Sequence, residues 1–213
     1  MRIAVLIPTF FRPEGLRRVL RSLKETSPDV RAVVVAESDD EQAPLITSEF
    51  NATFVVCLQP RQGTVPNWNL ALATEPNYDA YFLGADDLYF TPGWLEETLK
   101  ILESIGGSGL IQISNFGHYL MTRDFIIEHH GGVMVIPHYK GWCPDIEAIT
   151  RARRAGKFGY APNAIVVHEW RGSASNNYAV EGWALLEQRR AAGWADDFEP
   201  ILKEKFPGRA NVV

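Results

Sequence analysis

Short runs of apolar and β-branched residues alternate with helical patterns through most of the chain. The runs read RIAVLIP, VRAVVVAES, ATFVVCLQ, AYFLGADD, LIQIS and, at residues 164–170, AIVVHEW. Continuous runs of this kind are typical of strands buried on both faces, as in a parallel sheet. The alternation predicts an α/β domain with a mainly parallel central sheet flanked by helices.

Helical patterns fill the spaces between these runs. Two of them read PEGLRRVLRSLKE and VPNWNLALA, and part of the tail after Tyr178 is also predicted to be helical. A third helix is predicted from Thr91 as N-cap through Leu102, and a fourth, DIEAITRARRAG, ends at Gly156. Residues 116–143 carry aromatics, histidines and a Gly-Gly break, and are predicted to form a lid or an acceptor-side segment.

Length and charge exclude several classes of protein. The chain has 213 residues and a net charge of −5. This length fits one domain, and the acidic balance argues against a protein held on nucleic acid by phosphate contacts alone. Cys57 and Cys143 have no spacing typical of a zinc site. No run is long enough for a signal peptide or a membrane span, so a cytoplasmic enzyme or binding protein is expected.

Polar side chains stand at the ends of several predicted strands. Thr9 follows the first run, Glu37 ends the second, Asp86 and Asp87 end the fourth, and His168 ends the last. Ligands of open α/β sheets bind outside the carboxyl ends of the strands. The pattern therefore predicts one shared site.

The adjacent carboxylates of Asp86 and Asp87 need a counter-charge. An Asp-Asp pair is often only a turn former, but this pair ends a buried strand and has no basic residue within several positions. Oxygen ligands suit Mg²⁺ and Mn²⁺, and such an ion would hold a diphosphate. An imidazole from His168 would favour Mn²⁺, although spacing alone does not place it beside Asp86.

Asp145 lies in the segment GWCPDIEAITRARRAG. Pro144 predicts a helix start, where a carboxylate either caps the helix or acts as a general base. Tyr139 and Trp142 could form an apolar wall that tunes its pKa. Residues 138–140 are candidates for contact with an acceptor.

Five segments, in the same order, resemble the nucleotide-sugar-dependent glycosyltransferases of family 2. They read IAVLIPTFFRPEGLRRVLRSL, VVVAES, QGTVPNWNLAL, YFLGADDLYFTPGWLEETL and PDIEAITRARRAGKFGYAPNAIVVHEW. The resemblance implies a single GT-A (Rossmann-like) domain over residues 1–213. Within it, residues 1–115 would bind the nucleotide sugar, 116–170 would serve the acceptor and catalysis, and 171–213 would form a C-terminal helical extension.

The resemblance also implies roles for individual residues. Asp86 and His168 would bind Mn²⁺ or Mg²⁺, and Asp145 would be the base that deprotonates the acceptor. The matched residues that would bind the donor are Pro8, Thr9, Arg12, Glu37, Arg61, Gly63, Asn67 and Asp87.

Three positions depart from the family pattern. Gly84 replaces the first Asp of an Asp-x-Asp triplet, and Ala36 replaces the first acidic residue at the end of the second strand. Pro144 stands where the family often has Glu, which leaves Asp145 as the candidate base and Glu147 as a residue that could orient a substrate.

The activity implied is an inverting, metal-dependent transfer of sugar from a nucleotide diphosphate sugar, expected to be a UDP-sugar, to an acceptor hydroxyl. A non-catalytic nucleotide or carbohydrate binder is an alternative, supported by Gly84 and Ala36. A nucleotidyltransferase is less favoured, because PTFFRPEG has a single Arg and a single Gly. The acceptor stays open between a glycan, a lipid-linked sugar, a protein and a modified DNA base, and homodimerisation through residues 195–213 also stays open.

Overall fold

The computed structural model describes residues 1–57, 63–114, 117–169 and 179–202. The strands in these residues are β1 (Ile3–Pro8), β2 (Arg31–Glu37), β3 (Thr53–Cys57), β4 (Ala80–Leu83), β5 (Leu88–Phe90), β6 (Leu110–Ile113), β7 (Tyr119–Thr122), β8 (Phe158–Ala161) and β9 (Val166–His168). The helices are α1 (Pro13–Thr26), α2 (Gln42–Glu49), α3 (Thr64–Thr74), α4 (Trp94–Ser104), α5 (Arg123–His129), α6 (Pro144–Arg154) and α7 (Ala179–Ala191).

The main sheet has seven strands in the order β3-β2-β1-β4-β7-β6-β8. β1 pairs in parallel with β2 and β4, β2 pairs in parallel with β3, and β6 pairs in parallel with β8. β7 is antiparallel to both of its neighbours, β4 and β6. The predicted α/β fold with a mainly parallel central sheet is confirmed. Because β7 is reversed, its first residues lie at the same edge as the last residues of β1, β2 and β4.

The core lies on both faces of this sheet. In β1, Ala4 and Leu6 face one apolar cluster, while Ile3, Val5 and Ile7 face the other. The first cluster is covered by α3, α5 and α6, and the second by α1, α2 and α4. A strand with helices on both faces must be apolar at every position, which explains the uninterrupted runs in the sequence.

The expectation that residues 116–143 form a lid instead of a regular layer is wrong for much of the segment, and a role on the acceptor side stays a prediction. The segment contains β7 and α5, and β7 is a fully buried strand inside the main sheet. Residues 133–136 are also buried in the core. A strand of four residues is too short to show a clear pattern beside the histidines and glycines that surround it.

The start of α4 also differs from the prediction. Thr91 is not its N-cap; Gly93 takes that position with φ 83°, and the helix runs from Trp94 to Ser104. The Thr91 hydroxyl instead donates to the carbonyl of Ile165, at 2.7 Å. This bond ties the end of β5 to the segment before β9.

The last predicted strand lies outside the main sheet. β9 pairs antiparallel with β5, and the register sets His168 opposite Leu88. Within the described ranges, no helix is long and apolar enough to cross a membrane, and the cytoplasmic location stays a prediction.

Candidate active site

Asp86 and Asp87 share a counter-charge that comes from a distant part of the chain. Nη1 of Arg12 lies 3.2 Å from Oδ1 of Asp86 and 3.3 Å from Oδ2 of Asp87. Arg12 directly precedes α1, and Gly15 allows this helix to approach the acidic segment, because a Cβ at Gly15 would lie 2.5 Å from the Asp86 carbonyl oxygen. The counter-charge need not be a metal ion, since the fold supplies a guanidinium.

Asp86 is buried and held by two donors. Besides Arg12, the hydroxyl of Thr9 donates to Oδ2 of Asp86, at 2.7 Å. Thr9 is itself fixed by a backbone hydrogen bond to the carbonyl of Val35, at 2.9 Å. Burial raises the pKa of Asp86, and the bonds from Thr9 and Arg12 offset part of that rise.

Asp87 faces His168 across the small sheet. His168 Nε2 lies 3.3 Å from Asp87 Oδ1, and the backbone N–H of Glu169 donates to the Asp87 carbonyl at 2.8 Å. The contact to Oδ1 is an ion-pair distance whose geometry falls short of a hydrogen bond, and this buried oxygen accepts none from the described residues. Burial acts to raise the pKa of Asp87, but His168 and Arg12 outweigh it and the pKa is lowered.

Asp87 and His168 fit a divalent cation by the chemistry of their donors. A buried carboxylate oxygen without a hydrogen bond faces an imidazole nitrogen, and Mn²⁺ accepts both kinds of ligand. Among the described residues no group of three or more His, Cys, Asp and Glu side chains could hold an ion. A two-residue set is nevertheless compatible with ions that take their other ligands from phosphates and water.

The structure adds Asp87 to the residues that the sequence predicted as metal ligands. The sequence paired Asp86 with His168, but the carboxylate in contact with His168 is that of Asp87. Asp86 is engaged by Thr9 and Arg12 instead. Its part in metal binding stays a prediction.

His118 was missed in the sequence and lies at the centre of the site. Its Nδ1 donates to the carbonyl of Leu83, at 2.8 Å, and its ring packs edge-on against His168 with centroids 5.0 Å apart. Burial lowers the pKa of His118 to about 4, so the ring is neutral at pH 7. Sequence reasoning looked for polar residues at strand ends, whereas His118 precedes a strand that runs the opposite way.

Asp145 lies beside the same edge of the sheet. Gly117 is next to its carboxylate, since a Cβ at Gly117 would lie 3.9 Å from Asp145 Oδ2. The next residue along the chain, His118, contacts His168. The two residues that precede the reversed strand β7 therefore lie between the predicted base and the predicted metal histidine.

The environment of Asp145 suits a proton acceptor. It is in the first turn of α6, after Cys143, whose φ of 73° is rare for a non-glycine residue and common at functional sites. Burial raises the pKa of Asp145, and the backbone N–H groups of Asp145 and Ile146 offset part of the rise. A carboxylate with a raised pKa accepts a proton more readily than an exposed one.

Glu147 has a structural role in place of the predicted contact with substrate. Its side chain has 0% exposure and accepts hydrogen bonds from Arg151, Arg189 and the hydroxyl of Tyr139, at distances from 2.8 to 3.1 Å. Burial acts to raise the pKa of Glu147, but Arg189 and Arg151 outweigh it and the pKa is lowered. Tyr139 is thus occupied in the interior. Its exposed neighbours His138 and Lys140 pair with Asp197 and Glu181, each at 2.9 Å, and their contact with an acceptor stays a prediction.

The other predicted donor-binding residues lie in several elements. Pro8 and Glu37 end β1 and β2, Gly63 is the N-cap of α3 with φ 89°, and Asn67 is buried within α3. Arg61 lies outside the described residues. The contacts of these residues with a nucleotide stay predictions.

No protein-family model and no curated protein matches the chain. Solved structures do. The mannosyltransferase PcManGT from Pyrobaculum calidifontis, solved with GDP-Man and Mn²⁺, has a TM-score of 0.71 at 15% identity over 93% of this chain and 66% of its own. Glucosyl-3-phosphoglycerate synthase from Mycobacterium tuberculosis was solved with Mn²⁺, UDP and phosphoglyceric acid. It has a TM-score of 0.67 at 15% identity, and the match covers 88% of this chain and 78% of the synthase.

S. aureus TarS has a TM-score of 0.63 at 13% identity over 75% of this chain. The chain spans 35% of the length of TarS and 66% of that of the mannosyltransferase. At these identities the likeness concerns the fold. The chain has the GT-A fold, as the family resemblance implied.

Proposed function

We propose that the chain is an inverting, metal-dependent glycosyltransferase that moves a sugar from a nucleotide diphosphate sugar to an acceptor hydroxyl. One observation carries the proposal. A carboxylate–imidazole pair suited to a cation, Asp87 and His168, lies at the same sheet edge as a separate, partly buried carboxylate, Asp145. Sugar transfer needs one group that stabilises charge on the leaving group and a second group that removes a proton from the acceptor.

Asp145 would act on the acceptor. It would take the proton of the acceptor hydroxyl as the oxygen attacks the anomeric carbon of the donor. The new carbon–oxygen bond forms as the bond from that carbon to the diphosphate oxygen breaks, and the nucleoside diphosphate leaves with the electron pair. Attack opposite the leaving group inverts the configuration at the anomeric carbon.

The donor would lie across the ends of β1, β2 and β4. Arg12 would supply positive charge for the diphosphate, and Pro8, Thr9, Glu37 and Asn67 would contribute to the same donor site. A divalent cation, when bound, would be held by Asp87 and His168, with Asp86 as a further ligand, and would stabilise negative charge on the departing diphosphate. In this proposal the first 115 residues hold the donor and residues 116–170 serve the acceptor.

The choice of nucleotide rests on the family resemblance and on the similar structures. The solved mannosyltransferase contains GDP-Man and Mn²⁺, and the solved glucosyl synthase contains UDP and Mn²⁺. A UDP-sugar is the donor proposed, with a GDP-sugar as the competing outcome. The acceptor classes to be tested are glycans, lipid-linked sugars, proteins and modified DNA bases.

A thermal-shift screen of UDP- and GDP-sugars, with and without Mn²⁺, tests the donor. Stabilisation by one donor that requires Mn²⁺, and that is lost in His168→Ala, is the expected result. Asp124→Asn, at an exposed position in α5, is the control that should keep the shift. The absence of a shift with every donor would contradict the proposal.

A non-catalytic binder is the second candidate, because the position of Gly84 cannot hold a side chain. A Cβ there would lie 2.8 Å from Val5 Cγ1 and 2.9 Å from the carbonyl oxygen of Leu6. The aspartate that the family usually has at this point is therefore excluded by the local packing. Release of nucleoside diphosphate from the stabilising donor separates the two candidates, since a binder would show the thermal shift without the release.

A further inference from the structure

We propose that Arg12 is an internal cation that competes with the divalent metal for Asp86 and Asp87. The metal then binds tightly only together with a diphosphate, which draws the Arg12 guanidinium away from the carboxylates. The inference rests on the proposed function in one respect, namely that the ligand is a nucleoside diphosphate.

The first step is the position of the guanidinium. A single nitrogen, Nη1 of Arg12, contacts one oxygen of each carboxylate, at 3.2 Å and 3.3 Å. Among the ion pairs of the described residues, Arg12 is the cation that contacts both carboxylates. Since the other oxygen of Asp86 accepts from Thr9, a metal ion that used both carboxylates would need the Asp86 Oδ1 that Arg12 now contacts. It would lie close to the guanidinium even if it used the Asp87 oxygen that faces His168.

The second step is the difference in exposure between the partners. The side chains of Asp86 and Asp87 are 8% and 17% exposed, whereas that of Arg12 is 38% exposed. The carboxylates are fixed by the strand end and by Thr9, while the guanidinium has solvent on one side. The arginine side chain is therefore the member of the cluster with the most open space around it.

The third step is that the backbone of the loop is held in place. Phe11, which precedes Arg12, has φ 50°, and its N–H donates to Oδ2 of Asp40 at 3.2 Å. The other oxygen of Asp40 accepts from the backbone N–H groups at the start of α2. A change in the Arg12 contacts can thus occur by side-chain rotation, without a rearrangement of the loop.

The fourth step is the preference of each cation. A guanidinium binds phosphate through two parallel hydrogen bonds, whereas here one nitrogen is shared between two carboxylates at distances above 3 Å. A diphosphate therefore offers Arg12 a better partner. Once Arg12 has turned, Asp86 and Asp87 have two adjacent charges without a guanidinium, and a divalent cation neutralises them. Binding of the diphosphate and of the metal is then positively coupled.

Mn²⁺ binding by the full chain, measured by electron paramagnetic resonance of free Mn²⁺ with and without UDP, tests the inference. Without UDP, Arg12→Met should bind Mn²⁺ more tightly than the unmodified chain, by a factor in the roughly 5- to 150-fold range of coupled sites. UDP should tighten Mn²⁺ binding by a similar factor in the unmodified chain and much less in Arg12→Met.

Two further variants control for charge and for folding. Arg17→Met removes the same charge from α1, where Arg17 pairs with Glu14 and Glu49, and should leave Mn²⁺ affinity near that of the unmodified chain. Arg12→Lys retains a cation at the site and should also resemble the unmodified chain without UDP. Circular dichroism verifies that each variant is folded, and if Arg12→Met is not, Arg12→Gln replaces it.

Equal Mn²⁺ affinity of the unmodified chain and Arg12→Met without UDP would overturn the inference. Equal tightening of both by UDP, or no Mn²⁺ binding by either chain even with UDP, would overturn it too. If the coupling is found but no donor sugar is transferred, the competition stands and the proposed transferase activity fails. The two proposals are thereby tested separately.

Discussion

Arg189 donates hydrogen bonds from Nε and Nη2 to both carboxylate oxygens of Glu147, at 2.8 Å and 3.1 Å. Glu147 is in the first turn of α6, two residues after Asp145, and Arg189 is in α7. Gly182 of α7 also packs closely on the backbone of Trp142, since a Cβ there would lie 2.7 Å from the Trp142 carbonyl oxygen. Helix α7 therefore supports the segment that carries the predicted base.

Replacement of Arg189 should destabilise the fold. Arg189→Met leaves the buried Glu147 with one arginine, and removal of one partner from a buried ion pair costs about 3–5 kcal/mol. Arg190→Met is the matched control, because Arg190 forms an exposed pair with Glu187 at 2.9 Å, and it should cost less than about 1 kcal/mol. Urea unfolding of the variants measures both; equal free energies of unfolding would contradict a structural role for the Glu147 pair.

Asp145→Asn should reduce turnover and leave donor binding unchanged. Loss of a general base typically costs about 100- to 10,000-fold in rate. The raised pKa of Asp145 means that its charge is less favourable in the folded than in the unfolded state at neutral pH, so the variant should unfold at the same temperature or higher. Nucleoside diphosphate release and donor affinity are the measurements, and near-full turnover in the variant would remove Asp145 as the base.

The activity should have an acidic limb set by Asp145. A base must be deprotonated, so activity is lost as pH falls through the pKa of Asp145, which burial places above the about 3.9 of an ordinary Asp. The pH profile of kcat from pH 4 to 8 measures this limb. A limb at the ordinary Asp value would contradict the environment found here, and persistence of the same limb in Asp145→Asn would assign it to another group.

Gly84→Ala should destabilise the protein through overpacking. The added Cβ would meet Val5 and the backbone of Leu6 at less than 3 Å, and overpacked cores typically lose about 1–3 kcal/mol. Gly193→Asn is the control, because Gly193 has φ 72° with open space around it and Asn tolerates this conformation. Thermal and urea unfolding measure the difference, and an unchanged stability of Gly84→Ala would show that the strand can shift to accept a side chain.

The long elements of this fold were predictable, whereas several of the short ones were missed. α1 has an apolar face at helical spacing, and β1 and β2 are uninterrupted apolar runs, so each shows its structure locally. β5, β7 and β8 have only three or four residues each. Such strands are stabilised by pairing with neighbours in the sheet, and their own residues carry too little pattern to identify them.

In the candidate site, most of the proposed functional residues could be predicted but their partners could not. Asp86, Asp87 and His168 could be selected from the sequence because polar side chains at the ends of buried runs must meet a partner or a ligand. Asp145 could be selected because Pro144 marks a helix start beside it and because of the family resemblance. The identity of those partners could not be predicted. Arg12 is far from both aspartates along the chain, and His118 enters the site only because β7 is reversed.

Local sequence patterns were enough to predict the α/β architecture and, apart from His118, the acidic and imidazole groups of the candidate site. Burial and periodicity depend on neighbouring residues, which is why they can be read along the chain. Three features depend on contacts between distant segments: the ion pairs of Arg12 with Asp86 and Asp87, the burial that keeps His118 neutral, and the hydrogen bonds from Arg189 to Glu147. Charge interactions act through space, so they are set only when the sheet order and the helix positions bring those segments together.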